Sequence, residues 1–154
     1  MEALERLAPL EKKSVLDVGT GTGILSMASI LLGTRSAVAL DIDNDAILTC
    51  SRNAALNKMN ERLWTFQGTV DALKRTAQFD LVLANVHGGI ILKEAHRLVD
   101  HTREGGHMIL SGLDYTDNRQ LKTVMGERGM KEISILFPIK RFRCIRLVLF
   151  IRNT

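Results

Sequence analysis

The 154-residue chain has two cysteines, two prolines, no internal repeat and no apolar run long enough to cross a bilayer. Cys50 and Cys144 lie far apart and neither has a CxxC partner, so neither a zinc site nor a disulfide framework is indicated and two reduced, buried thiols are the expectation. His96, His101 and His107 are not spaced as metal ligands either. With Pro9 and Pro138 the only prolines and no low-complexity linker, the chain reads as continuous alternating structure. Glu2 and Glu5 deny the N-terminus the charge pattern of a secretory leader, so the expected address is the cytoplasm, without membrane attachment. What is present is ordinary for a folded protein, 45% hydrophobic and 25% charged, and its length fits one domain over residues 1–154. The net charge of +4 gathers late, at Lys140, Arg141, Arg143 and Arg146 with Arg152 beyond. Such a basic C-terminal hairpin could meet RNA or a ribosomal surface, although a solvated strand face is the commoner reason for it.

Residues 2–8 place Ala3, Leu4, Leu7 and Ala8 at helical spacing, predicting a short helix that ends near Pro9. SVLDV, residues 14–18, reads as a strand, and residues 24–32 as a helix apolar on nearly every side and stopped by Gly33. SAVALDI is a second strand, followed by a helix from about Asp45 to Asn57 that Asp43 or Asn44 would cap. LWTFQG is a third strand and residues 70–76 a short helix; FDLVLANV is a fourth strand, apolar almost throughout as burial on both faces requires. A helix over residues 89–101 turns Ile90, Ile91, Ala95 and Leu98 inward, and GGHMILSGL is a fifth strand opened by a Gly105-Gly106 turn. After a last helix over about 117–128, ending at Gly129, EISILFPI and CIRLVLFI flank the basic KRFR turn with no helix between them, so they pair as an antiparallel hairpin. The expected architecture is α/β: a doubly wound, mostly parallel seven-stranded sheet with an antiparallel C-terminal hairpin.

The sharpest chemical signal is VLDVGTGTG, residues 15–23. An apolar strand carrying Asp17 ends in Gly19, Gly21 and Gly23, and a helix begins at once. Bare backbone at the carboxyl end of a sheet lets amides approach a ligand closely, and the helix N-terminus favours a carboxylate there. A dinucleotide fingerprint would place the third glycine one residue later and does not usually carry an acid inside the strand. Asp41 closes the second strand, where a doubly wound sheet holds its ribose-binding acid; the alternative, capping the next helix, suits Asp43 better.

The Asp-x-Gly-x-Gly-x-Gly arrangement resembles the first motif of class I methyltransferases, which implies S-adenosylmethionine as cofactor. The resemblance implies contacts from Asp17, Gly19, Thr20, Gly21 and Gly23 to the methionine and ribose portions, and from Asp41 and Ile42 beside the ribose. It also implies that the QGTVDA turn borders the adenine, through Thr69, Val70 or Asp71. Asn85, at the tip of the fourth strand, is the expected catalytic residue: methyl transfer needs an aligned, unprotonated nucleophile, and an amide carbonyl can accept a hydrogen bond from an attacking amine. A turn asparagine capping the strand end is the plainer alternative, and His87 could take a proton or shape the pocket. Asn85-Val86-His87-Gly88 differs from the Asn-Pro-Pro-aromatic run typical of nucleic-acid adenine methyltransferases.

Across nearly its whole length, through GILSMAS, SRNAALN and LANV, the chain is similar to the catalytic domain of the PrmA family. That resemblance implies methylation of lysine and N-terminal amines on large-subunit ribosomal protein eleven. The family's separate recognition domain and its Phe-Gly-Thr-Gly-x-His loop have no counterpart in these residues, so the sequence reads as a fragment or as a short relative with a changed substrate. An RNA or small-molecule methyltransferase, or a cofactor-binding module without turnover, are the alternatives.

Overall fold

The computed structural model describes residues 2–113, 115–136 and 146–154. These residues form α1 (Glu2–Arg6), β1 (Ser14–Val18), α2 (Ile24–Leu31), β2 (Ser36–Asp41), α3 (Asn44–Leu56), β3 (Leu63–Gln67), a 3-10 turn (Val70–Ala72), β4 (Phe79–Asn85), α4 (Gly88–Asp100), β5 (Thr102–Leu113), α5 (Tyr115–Glu127), β6 (Met130–Leu136) and β7 (Arg146–Arg152). The strand order is β3-β2-β1-β4-β5-β7-β6, the mixed sheet of the expected α/β fold. Two compact units divide the chain, Met1–Lys74 and Arg75–Thr154.

In the first unit, β1 and β3 both pair in parallel with β2, register running from Ser14 opposite Ser36 and from Ala37 opposite Leu63. Val15, Leu16, Ala37, Ala39 and Leu40 are fully buried, and Ala28 and Ile30 of α2 and Cys50 and Ala54 of α3 join this core. Trimming Leu16 or Leu40 to alanine would cost ~2–5 kcal/mol on this account. Asp43 caps α3, its side chain accepting from the Asp45 amide at 2.9 Å.

In the second unit, β4 pairs in parallel with β5, while β7 pairs antiparallel with both β5 and β6. The terminal hairpin therefore enters the sheet through its second strand, and the burial of consecutive Val148, Leu149 and Phe150 shows that both faces of that strand are covered. Two expectations are corrected here. Strand β5 begins at Thr102, so Gly105 and Gly106 do not open it; they form an irregularity inside it, where the β4 register jumps from Phe79–Thr102 to Leu81–His107. Ile90 points outward, because a helix that starts at Gly88 and buries Ile91, Ala95, Leu98 and Val99 turns residue 90 away from that face.

Of the basic cluster, Lys140, Arg141 and Arg143 lie outside the described residues, as do Cys144 and the KRFR turn. Arg152 is turned inward rather than presented to an anion: its guanidinium donates to the carbonyls of Val99, at 3.0 Å, and Thr102. Among the described residues no helix is long and apolar enough to cross a membrane.

Candidate functional site

Strand β1 carries Asp17 into the interior, where it is 1% exposed. Its Oδ2 accepts two hydroxyls, from Thr20 at 2.8 Å and from Ser26 at 2.7 Å. Its Oδ1 is equally buried and has no hydrogen-bond partner. Burial pushes the Asp17 carboxyl above the ordinary carboxylate range, with hydrogen bonds from Ser26 and Thr20 opposing the shift and the charge of Asp41 adding to it.

Between β1 and α2 the chain turns through Gly19, Gly21 and Gly23, all at positive φ. The amides of Gly19 and Thr20 donate to the Leu40 carbonyl at 2.8 and 3.0 Å, which ties the loop to the end of β2. Gly23 is the helix N-cap at φ 81°, and a methyl group there would collide with the Cys50 sulfur on α3, so the position needs glycine twice over. No side chain caps α2 and no acid lies in its first turn. A Cβ added at Gly21 would meet nothing within 4 Å.

Asp41, at the end of β2, reaches the same loop. Its Oδ2 accepts the Gly21 amide at 2.9 Å and its Oδ1 the Asp43 amide at 3.1 Å. Residues 20 positions apart thus place a glycine-rich bend against a half-buried carboxylate. Neither Asp17 nor Asp41 has a basic partner among the described residues. Ile42, next in the chain, is 69% exposed. Thr69 caps the 3-10 turn through the Asp71 amide at 3.3 Å, and the Val70 side chain is buried, so that turn offers a ligand its backbone rather than Val70's side chain.

Asp17, Thr20, Gly21 and Asp41 therefore come together, with Thr20 serving Asp17 through its hydroxyl. Two partners escaped the sequence reading, Ser26 and Cys50. Ser26 was visible in principle, since a serine in a helix apolar on nearly every side must find a polar partner. Cys50, whose thiol burial pushes up against a weaker opposing bond from Thr20, is a neutral packing group beneath the loop, its sulfur 4.0 Å from the Thr20 hydroxyl.

In the second unit Asn85 is the last residue of β4, exposed and paired in register with Ser111. The chain after it is held by backbone: the Val86 carbonyl lies against Gly112, at φ 96°, where any Cβ would clash. His87 is the N-cap of α4, its Nδ1 accepting the Gly89 amide at 3.2 Å. That bond gives the histidine a structural task, which the sequence reading had not assigned to it. Among the described residues, no three His, Cys, Asp or Glu side chains could hold a metal ion.

Residues 1–137 match the family model described as ribosomal protein L11 methyltransferase (PrmA). Ribosomal protein L11 methyltransferase of Agathobacter rectalis is 34% identical over 133 residues, 81% of this chain and 41% of that protein. That of Geobacter sulfurreducens is 42% identical over 113 residues, 73% of this chain and 36% of that protein. The chain thus spans less than half the length of these curated relatives. The crystal structure of the ribosomal protein L11 methylase from Lactobacillus delbrueckii subsp. bulgaricus superimposes with a TM-score of 0.86 at 28% identity, covering 99% of this chain and 77% of that one.

Proposed function

The chain belongs to the ribosomal protein L11 methyltransferase (PrmA) family, and from that membership we propose that residues 1–154 act as one S-adenosylmethionine-dependent domain that methylates an amine on a ribosomal protein, in the cytoplasm. The observation that carries the proposal is the 2.9 Å bond from the Gly21 amide to Asp41, which joins the bare loop to a carboxylate suited to a ribose diol. Bound at this loop, S-adenosylmethionine would supply a methyl group on a cationic sulfur.

The residues present fit that cofactor. Asp41 would accept the ribose hydroxyls, each charge-assisted bond contributing ~1.5–3 kcal/mol when water is excluded. Gly19, Gly21 and Gly23 line the methionine and ribose portions with backbone. The undonated Oδ1 of Asp17 suits an ammonium group, and two carboxylates without a basic partner among the described residues favour a ligand of positive charge. Exposed Ile42 would offer an apolar surface to a flat base, with the Thr69–Val70 turn supplying backbone groups. Asn85 accepts a hydrogen bond from the attacking amine and so aims its lone pair, which is positioning rather than acid-base work.

Two measurements test this reading. Calorimetry with S-adenosylhomocysteine and with NAD should show binding of the first alone; the reverse preference would end the proposal. Incubation with labelled S-adenosylmethionine and isolated ribosomal proteins should label one of them, and Asn85→Ala should lower turnover ~10²-fold, the scale of a lost positioning contact, while leaving cofactor affinity within about threefold. Label appearing only in RNA would move the acceptor to a different class.

A further inference from the structure

The two hydroxyls on Asp17 do not share its carboxylate evenly. Thr20 and Ser26 both donate to Oδ2, although a carboxylate offers four lone-pair positions over two oxygens, and Oδ1 is left buried without a donor. The donors come from opposite ends of the bend, Thr20 from the loop and Ser26 from the first turn of α2, so they pin the carboxylate's rotation as well as its position. Ser26 is itself fully buried, and its backbone amide also favours the charged form of Asp17. A serine with no exposed surface, set in an apolar helix and spent on one carboxylate oxygen, has a consequence for the other oxygen: it is left, itself buried, without a donor among the described residues.

We propose that Ser26 is a positioning residue, which with Thr20 clamps Oδ2 of Asp17 so that Oδ1 stays available to the ammonium group of an amino-acid-bearing ligand. The proposal rests on the reading of this loop as an S-adenosylmethionine site and adds to it the residues that orient the acid. The other ionisable groups facing Asp17 within this unit are Asp41 from β2 and Cys50 from α3. Asp41 carries negative charge that raises the Asp17 pKa, and the Cys50 thiol stays protonated, so neither replaces the two hydroxyls in holding the carboxylate charged.

The test compares two ligands that differ at the ammonium. S-adenosylhomocysteine carries the amino-acid group; 5′-methylthioadenosine keeps the adenosine and the thioether without it. Calorimetry with both, from mildly acidic to neutral pH, would be run on the unmodified protein and on Ser26→Ala, Thr20→Val and Thr20→Ser. Loss of either hydroxyl should weaken S-adenosylhomocysteine about tenfold or more, the scale of one hydrogen bond to a charged group, while 5′-methylthioadenosine stays within about twofold. Removing a donor raises the Asp17 pKa further, so the pH at which S-adenosylhomocysteine affinity falls away should move upward in both deletion variants and return in Thr20→Ser. Should Ser26→Ala fail to fold, the Thr20 pair carries the same comparison. Equal weakening of both ligands, or an unmoved pH profile, would overturn the clamp while leaving the cofactor site intact. Binding of 5′-methylthioadenosine without S-adenosylhomocysteine would overturn it too, leaving an adenosine site. Binding of neither ligand by the unmodified protein would remove the proposed function and this proposal together.

Discussion

The carboxyl ends of the strands are built in two different ways in the two units. In the first, side chains do the fixing: Asp17 gathers two hydroxyls, Asp41 takes a loop amide, and neither acid has a basic partner among the described residues. In the second, backbone does it: the Val86 carbonyl rests on Gly112 and His87 caps α4, while carboxylates meet cations at the amino ends of β4 and β5 and beyond the end of α5, as in Arg103–Asp80 at 2.8 Å and Arg128–Asp100 at 3.8 Å. Unbalanced buried charge is costly unless something pairs with it. The first unit therefore carries a polar arrangement with an unfilled acceptor, which the proposed cofactor would complete, whereas the ion-paired carboxylates of the second sit on its surface.

The largest effect expected from that contrast is on ligand binding in the first unit. Asp41→Ala removes the proposed acceptor of both ribose hydroxyls and should weaken S-adenosylhomocysteine by ~10²-fold or more, with unfolding free energy changed by less than about 1 kcal/mol. Calorimetry beside urea denaturation checks both numbers, and affinity within about threefold of the unmodified protein would erase the distinction between the units.

Gly112→Ala should do the reverse. A methyl group would run into the Val86 carbonyl at a φ of 96°, so the segment behind Asn85 must shift. Destabilisation of ~2–3 kcal/mol is expected, with turnover falling further than cofactor affinity. If S-adenosylhomocysteine affinity dropped as far as turnover, the backbone-built region could no longer be treated as separate from the cofactor site.

Asp17→Asn sharpens the contrast through pH. Burial raises the Asp17 pKa in the folded chain, so the folded state holds this proton more tightly than the unfolded state. Stability of the unliganded protein therefore falls as pH rises from the ordinary carboxylate range through the raised folded value, and the cost is full above it. The asparagine variant should melt a few degrees higher at neutral pH, lose that advantage in acid, and bind S-adenosylhomocysteine far more weakly. A melting difference independent of pH would show that Asp17 is not the buried charge described here.

Much of this was legible in the chain itself, and the gaps have a pattern. Strand β1 matched SVLDV to the residue, and Gly33 and Asp43 ended and began helices as expected, because turn and cap chemistry is local. The meeting of loop and Asp41 was legible for the same reason that strand ends converge in a doubly wound sheet. The inner position of β7 was not read, although the unbroken LVLFI run is what burial on both faces looks like. Gly105 and Gly106 misled because a glycine pair signals a turn and a bulge alike, and only the β4 register separates them. Ser26 was missed because its partner is nine residues away across a bend, a pairing that no periodicity announces.

The smallest effect belongs to the exposed ion pairs of the second unit. Arg128 and Asp100 approach to 3.8 Å, with side chains 42% and 61% exposed. At that exposure the attraction is weakened by water and salt, and ordering the arginine side chain costs about as much as the pair returns. Arg128→Ala should therefore shift the unfolding free energy by less than about 0.5 kcal/mol, and the shift should shrink further in high salt. Urea denaturation at low and high ionic strength reads this directly. A loss above about 1 kcal/mol that survived salt would mean that the charges of this unit are structural pillars in their own right, and the division between a half with unpaired acids and a half with ion-paired ones would have to be redrawn.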